Sequence, residues 1–401
     1  VVVASRSSVA QIFSWLRAHP RTTRTELTAA LGLSKATVSE AISLLIAQGF
    51  VQEAGKQQLG RGRSQVILEL NAGARLVIGV QFSEDGCHAV LADLLASEIA
   101  STVRPLPGTT PEDFVDALTS CVEELSSKAT GPIVGIGVGV PGLVDPNGRE
   151  VIASVPYGWD HVPIANILEP RLNLPVVVAN RAKAAALGEY WHGNHASSAA
   201  HQHLAYLHAG AGIVIGSVMD GELFFGSGGA AGEIGHTTIV PDGPLCGCGN
   251  RGCLYMLASE SAIVRSVRAK ARQAPDPGNG GALPSLQSIT IRSLIAEANA
   301  GNPLVLETVA EVGVWLGIAI ANVVNLMNPS VVAIGGSVAG FGDPLFNAIR
   351  AEVRQRALWD ALDGVPIVPS TLGDDAGTVG AAALFLDQIE ITELLSDATP
   401  G

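Results

Sequence analysis

No uninterrupted apolar stretch in this chain reaches the roughly 20 residues that cross a bilayer. The opening Val1-Val2-Val3-Ala4-Ser5-Arg6 lacks the apolar core and cleavage site of a secretory leader. Five cysteines, three of them within eight residues, do not make the framework of a disulfide-stapled secreted protein. We therefore expect a cytoplasmic protein with no membrane insertion. Charged residues are scarce, at 15% against 47% hydrophobic, which excludes a disordered chain. Short-period repeats are also lacking. What the sequence does have is length: 401 residues suffice for two or three domains and a large core that needs no staples.

The charge is unevenly placed. Residues 1–75 hold nine Lys and Arg (Arg6, Arg17, Arg21, Arg24, Lys35, Lys56, Arg61, Arg63, Arg75) against four acids (Glu26, Glu40, Glu53, Glu69), an excess of five cations. With a total of −13, the remaining residues must carry −18. A cationic head on an acidic body suits a DNA-binding module joined to a ligand-binding or catalytic domain.

The pattern over residues 8–70 predicts three helices and a two-stranded ribbon. Val9, Ile12, Phe13 and Leu16 share one face of a first helix that should end by Pro20. Thr23 followed by Glu26 is a capping-box signature for a short second helix ending near Leu31. After the Gly32-Leu33 turn, Ser34 caps a third helix to about Gln48. There Val38, Ile42, Leu45 and Ile46 should point inward, leaving Lys35, Ala36, Thr37, Ser39 and Ser43 outside. Small polar side chains on the second element of a helix-turn-helix can approach base edges in the major groove. Phe50-Val51 and Gln65 to Leu70 form the ribbon, with Gly60-Arg61-Gly62-Arg63 at its tip. Arg61 and Arg63 there suit a narrow minor groove or phosphates. Residues 1–73 thus read as a winged helix-turn-helix domain for double-stranded DNA.

From residue 74 to 401 the texture is α/β. Leu76 to Val80 and His88 to Asp93 read as a strand hairpin, Glu112 to Lys128 as an amphipathic helix, and Ile133 to Val140 as a buried strand. A strand at Val176 to Ala179 precedes a helix from Ala182 to Tyr190. Leu204 to Leu207 and Gly212 to Met219 begin a second round of the same plan. Thr308 to Met327 is a long apolar helix and Val331 to Ile334 a strand. Gln273 to Ser285, rich in Pro and Gly, reads as a surface loop. Two β-rich, helix-capped rounds imply a doubled α/β architecture with a cleft between lobes.

The most specific chemical signal is Cys246-Gly-Cys248-Gly-Asn-Arg-Gly-Cys253, with His236 ten residues upstream. One His and three Cys complete the tetrahedral set of a structural zinc site within residues 236–253. A filled set leaves no open position for water, which argues against metal-assisted hydrolysis. Cys87 and Cys121 read as core residues.

These motifs carry a family resemblance. The winged helix, Gly139-Val-Pro141-Gly142-Leu-Val-Asp145, Ala231-Gly232-Glu233-Ile234-Gly235-His236, the cysteine cluster and Leu372-Gly373-Asp374-Asp375-Ala376-Gly377 together resemble the ROK family. That family groups sugar-responsive repressors and sugar kinases. The resemblance implies an α/β effector domain of actin-like, hexokinase-like duplicated architecture behind the winged helix. The N-terminal module is what marks the repressor branch.

Departures from the kinase pattern argue against catalysis. Family kinases open with an Asp-x-Gly-Gly-Thr loop for ATP phosphates, where this sequence reads Gln81-Phe82-Ser83-Glu84-Asp85. Their Asn-Asp pair supplies the general base. Here it is Asn180-Arg181, and a guanidinium cannot accept a proton at neutral pH. Phosphoryl transfer needs both a positioned nucleotide and an oriented nucleophile, so no enzyme activity is expected.

By the same resemblance, Asn180, Glu233 and His236 match residues that contact or orient sugar hydroxyls, His236 doubling as a zinc ligand. The family's Cys-x-Glu becomes Cys253-Leu254-Tyr255, which puts Tyr255 at a ligand position, and an expected Asn becomes Pro156. Two readings stay open: a pocket with no ligand, or one for a modified or acidic sugar. Arg181 and Lys183 can serve an anionic group, or pair with Glu84 and Asp85. The sequence reading is a DNA-binding repressor acting as a homodimer or homotetramer on an operator. A sugar kinase with a DNA-binding head and a regulator controlled by a protein partner are its alternatives.

Overall fold

The computed structural model describes residues 6–57, 64–83, 86–194, 203–273, 288–358 and 365–388. In the head, α1 (Arg6–Ala18) turns Val9, Ile12, Phe13 and Leu16 inward, as their helical spacing dictates. After β1 (Arg21–Thr23) comes the expected capping box. The Thr23 hydroxyl accepts from the Glu26 N–H at 3.3 Å, and the Glu26 carboxylate accepts from the Thr23 N–H at 2.8 Å. Such a cap contributes about 1 kcal/mol. It starts α2 (Arg24–Leu31), which Gly32 ends in the left-handed region. Ser34 then caps α3 (Lys35–Ala47), whose buried side is Val38, Ala41, Ile42 and Leu45. Ile46, expected inside, is only partly covered, because it lies on the flank of that stripe.

The ribbon is β2 (Val51–Gln57) and β3 (Gln65–Leu70), and its tip, with Arg61 and Arg63, lies outside the described residues. A third strand joins it: β1 pairs antiparallel with β3, Thr22 opposite Leu68, in the order β1-β3-β2. Three residues between Pro20 and a helix cap carry no readable alternation. Pairing with β3 recruits them.

The chain divides into two compact units, residues 1–179 with 378–401, and residues 180–377. The head therefore shares the first unit with the lobe that follows it. That lobe runs β4 (Leu76–Ser83), β5 (Gly86–Ala92), β6 (Glu98–Arg104), α4 (Pro111–Lys128), β7 (Ile133–Val140), β8 (Leu143–Val144), β9 (Val151–Ser154), β10 (Trp159–Val162), α5 (Ile164–Leu172) and β11 (Val176–Asn180). Its five-stranded sheet has the order β11-β7-β4-β5-β6. Cys87 and Cys121 are buried here, as expected, their thiols 3.8 Å apart.

The second unit begins with α6 (Arg181–His192), β12 (Leu204–Ala209), β13 (Ile213–Met219) and β14 (Glu222–Leu223). It continues with α7 (Leu254–Ala258), α8 (Glu260–Gln273), α9 (Ile291–Asn299), α10 (Pro303–Met327), β15 (Val331–Gly335), α11 (Asp343–Arg356) and β16 (Ile367–Pro369). The proposed Pro- and Gly-rich loop, beyond Gln273, lies largely outside the described residues. The order β14-β13-β12-β15-β16 repeats that of the first lobe. In each case three antiparallel strands continue into a parallel neighbour, β4 beside β7 and β12 beside β15. The doubled α/β plan is thus present. By length and composition α10 could cross a membrane, but 56% of its most apolar window is buried in the protein, where it packs against α11.

The last described helix, α12 (Ala376–Gln388), crosses into the first unit at Thr378 and packs on the sheet of that lobe. Two strand glycines permit this close approach. A Cβ on Gly79 would stand 2.1 Å from the Thr378 carbonyl oxygen, and one on Gly137 1.7 Å from that of Ala381.

Candidate functional sites

On α3 the side chains expected to face DNA point outward. Lys35, Ala36, Ser39 and Ser43 are exposed, and Thr37 is half-buried. The Thr37 hydroxyl shares a hydrogen bond with Ser34 at 2.8 Å, and Ser43 donates to the Ser39 carbonyl at 2.8 Å. The face is therefore low and already ordered, which suits close approach to base edges. Two other cations of the head form ion pairs. Arg21 pairs with Glu69 at 3.7 Å and Arg24 with Glu53 at 3.6 Å.

In the second unit, His236, Cys246, Cys248 and Cys253 converge, with all four ligand atoms within 4.8 Å of one another. The loop is closed by its own backbone: Cys246 N–H donates to Asn250 O at 2.7 Å and Gly252 N–H to Pro244 O at 2.9 Å. Gly252 has φ 64, and a Cβ there would meet the Val240 carbonyl at 1.5 Å, so only glycine completes the turn.

The spacing of this cluster fits a tetrahedral metal. Metal–sulfur bonds of about 2.3 Å put neighbouring sulfurs about 3.8 Å apart. Cys248 and Cys253 thiols stand 3.7 Å apart, as do the Cys246 thiol and His236 Nδ1. The thiols also interfere electrostatically. The Asn250 N–H, helped by the neighbouring sulfurs and His236, lowers Cys248 to about 7. Burial, then the Cys248 and Cys246 sulfurs, raises Cys253 to about 12. Cys248 ionises readily while Cys253 resists, so a bound cation would favour the ionised cluster.

Of the expected ligand residues, Glu233 and Tyr255 flank this loop in sequence, while Asn180 and Arg181 come from far upstream in the same unit. Asn180 is buried and caps α6, its side-chain oxygen accepting from Ala182 N–H at 2.8 Å. Glu233 is half-buried, and that desolvation raises its carboxyl above the ordinary range despite the opposing charges of His236 and Lys183. Tyr255 lies nearly parallel to the His236 ring at 6.1 Å. Arg181 is half-buried, and its cation adds to the desolvation that lowers half-buried His208 on β12.

Lys183 has a partner that the sequence did not reveal. It is 2% exposed, donates to the Gly229 carbonyl and lies 5.8 Å from the Phe225 ring. It thus pins the loop that carries Glu233. Glu84 and Asp85, the partners considered for Arg181 and Lys183, lie outside the described residues.

A further constellation was not anticipated. The Gly210-Ala211-Gly212 turn follows β12. A Cβ on Gly210 would find His208 Nε2 at 3.2 Å, Ser337 Oγ at 3.4 Å and Glu260 Oε1 at 3.5 Å. The Ser337 hydroxyl donates to that carboxylate, and Glu260 N–H donates to Gly210 O at 3.0 Å. An acid held at this turn opposes a polyphosphate. The only local hint was an acid at the start of a helix; its partners come from distant segments.

Comparison with known proteins agrees with both parts of the chain. The ROK family profile matches residues 77–388, and that of the MarR family matches residues 6–58. The chain belongs to the ROK family and carries a MarR-type winged helix before its actin-like lobes. It is 32% identical to the xylose repressor of Caldicellulosiruptor bescii over 91% of this chain and 92% of that one. The crystal structure of a ROK family transcriptional regulator, a homologue of the E. coli MLC protein, superposes with a TM-score of 0.83 at 25% identity, covering 98% of this chain and 100% of the other. A ROK glucokinase from Streptomyces griseus, solved with glucose and AMPPNP, gives 0.68 at 31% identity over 77% and 98%.

Proposed function

We propose that this chain is a cytoplasmic, DNA-binding transcriptional repressor controlled by a sugar or sugar-derived ligand, with lobes that do not transfer phosphate. The observation that carries the reading is one polypeptide with an outward polar recognition helix and kinase-type lobes in which Glu260 stands at the glycine turn after β12. Arg181 stands where the family's kinases have their general base, and Glu260 at the glycine turn opposes a nucleotide's phosphates.

In this reading, Lys35, Ala36, Thr37, Ser39 and Ser43 meet the major groove, and Arg61 and Arg63 meet the minor groove or phosphates. Asn180, Glu233, His236 and Tyr255 bind the sugar, and Arg181 supplies a cation where the ligand is acidic. His236, Cys246, Cys248 and Cys253 would hold one structural zinc, which would tie the loop to the wall bearing Glu233. A homodimer or homotetramer would present paired heads to a palindromic operator.

The test is selection from a random duplex pool, followed by mobility shifts with and without sugars; the names of the similar repressors make xylose the first probe. A palindromic site released by one sugar is the expected result. Sugar-dependent ATP turnover would sink the non-catalytic assignment. Operator release by a purified protein partner, with no sugar effect, would replace the ligand half of the reading.

A further inference from the structure

The head is attached to more than its linker. Arg17, near the end of α1, donates to the Leu386 carbonyl at 2.7 Å and stands 3.9 Å from the Asp387 carboxylate. Both acceptors belong to the last described turn of α12, 369 residues away in sequence. The Arg17 side chain is only 15% exposed, so these bonds are shielded from water. The far side of α12 is fixed, since its Ala381 to Leu386 segment is buried on the glycine-bearing strands β4 and β7. Two smaller ties lie at the junction: Leu94 N–H donates to Ala72 O at 3.0 Å, and the Arg75 guanidinium lies 5.0 Å from the Phe50 ring.

We propose that the last turn of α12 is the seat of the DNA-binding head and Arg17 its latch, setting the position from which α3 meets an operator. The role in operator recognition rests on the repressor reading above; the latch itself does not. An unlatched head would remain folded, because its own core of α1, α2, α3 and the three-stranded ribbon does not include Arg17's partners. It would, however, sample many positions on its short junction. Two such heads would still bind DNA but would discriminate poorly between half-site spacings.

Hydrogen exchange of the full chain separates the two claims. Arg17→Met keeps the aliphatic stem and removes the donor. Asp387→Lys attacks from the lobe side and leaves the head's sequence intact. Each should speed exchange at the Leu94 amide about tenfold, the scale of one charge-assisted hydrogen bond, while α3 amides stay protected. Loss of α3 protection in Arg17→Met would mean that this variant unfolds the head, and Asp387→Lys then decides. Wild-type exchange at Leu94 in both variants, with the head folded, overturns the latch.

The second readout is the affinity ratio between the selected operator and one with 5 bp inserted between half-sites. It should fall at least about threefold in the variants. Faster exchange with an unchanged ratio would overturn the positioning role. Failure to select any DNA would instead condemn the repressor reading and leave the latch to be judged by exchange alone.

Discussion

Four donors converge on Glu189, an acid with no exposed surface on α6. They are the Ser370 hydroxyl, Thr371 N–H at 2.7 Å, the Thr371 hydroxyl at 3.2 Å and Leu372 N–H at 3.1 Å. Removing a carboxylate from water is costly unless such bonds replace its hydration. Glu189→Leu would remove the acceptor of two part-buried N–H groups and should lower stability by about 2 kcal/mol, read as a lower urea midpoint. A variant as stable as the wild type would show that the segment needs no clamp. His208 makes a prediction in pH. Burial, then the Arg181 cation, lowers it to about 3. The unfolded chain takes up this proton near pH 6.5, whereas the folded one resists until about 3. Its contribution is therefore present above about 6.5 and lost as pH falls through that window. His208→Gln should flatten the decline of melting temperature between pH 7 and 4. An unaltered acid slope would assign the proton uptake to other groups.

At the scale of the element, the cysteine loop is expected to behave as a folding unit with its ion. Purified protein should carry about one zinc per chain, and Cys248→Ser should lose it and lower the melting temperature of the lobe while α3 stays protected. Full stability after chelation would refute a structural metal. This element was legible in the sequence because all four ligands fall within eighteen residues and their chemistry is distinctive. The outer face of α3 was legible for another reason: helical periodicity sorts inside from outside within a single element. Contacts between distant segments left no such trace. Glu260 owes its place to Ser337, 77 residues on, and β1 exists only because β3 lies beside it. Lys183 was visible as a cation, but its burial against Gly229 was not, since sequence shows a charge and conceals its partner.

Over the whole molecule, charge decides how DNA can be approached. An acidic body repels phosphates, so the cationic head alone offers a docking face. Arg17 is shielded inside the protein and Arg21 and Arg24 are partly neutralised by surface ion pairs, so Lys35 and the wing arginines are the cations expected to displace most counterions. Arg61→Ala with Arg63→Ala should weaken operator binding and reduce the slope of log affinity against log salt by about 2. An unchanged slope would remove the wing from the interface. The tie between Arg17 and α12 has a consequence in time as well as in space. Ribosomes add roughly 5 to 20 residues per second, so the 369 residues between Arg17 and Leu386 take roughly 20 to 70 seconds to make. Throughout that interval a nascent head is complete but has nowhere to dock. If Arg17 is the latch, the chain reads DNA with a fixed geometry only once α12 has left the ribosome.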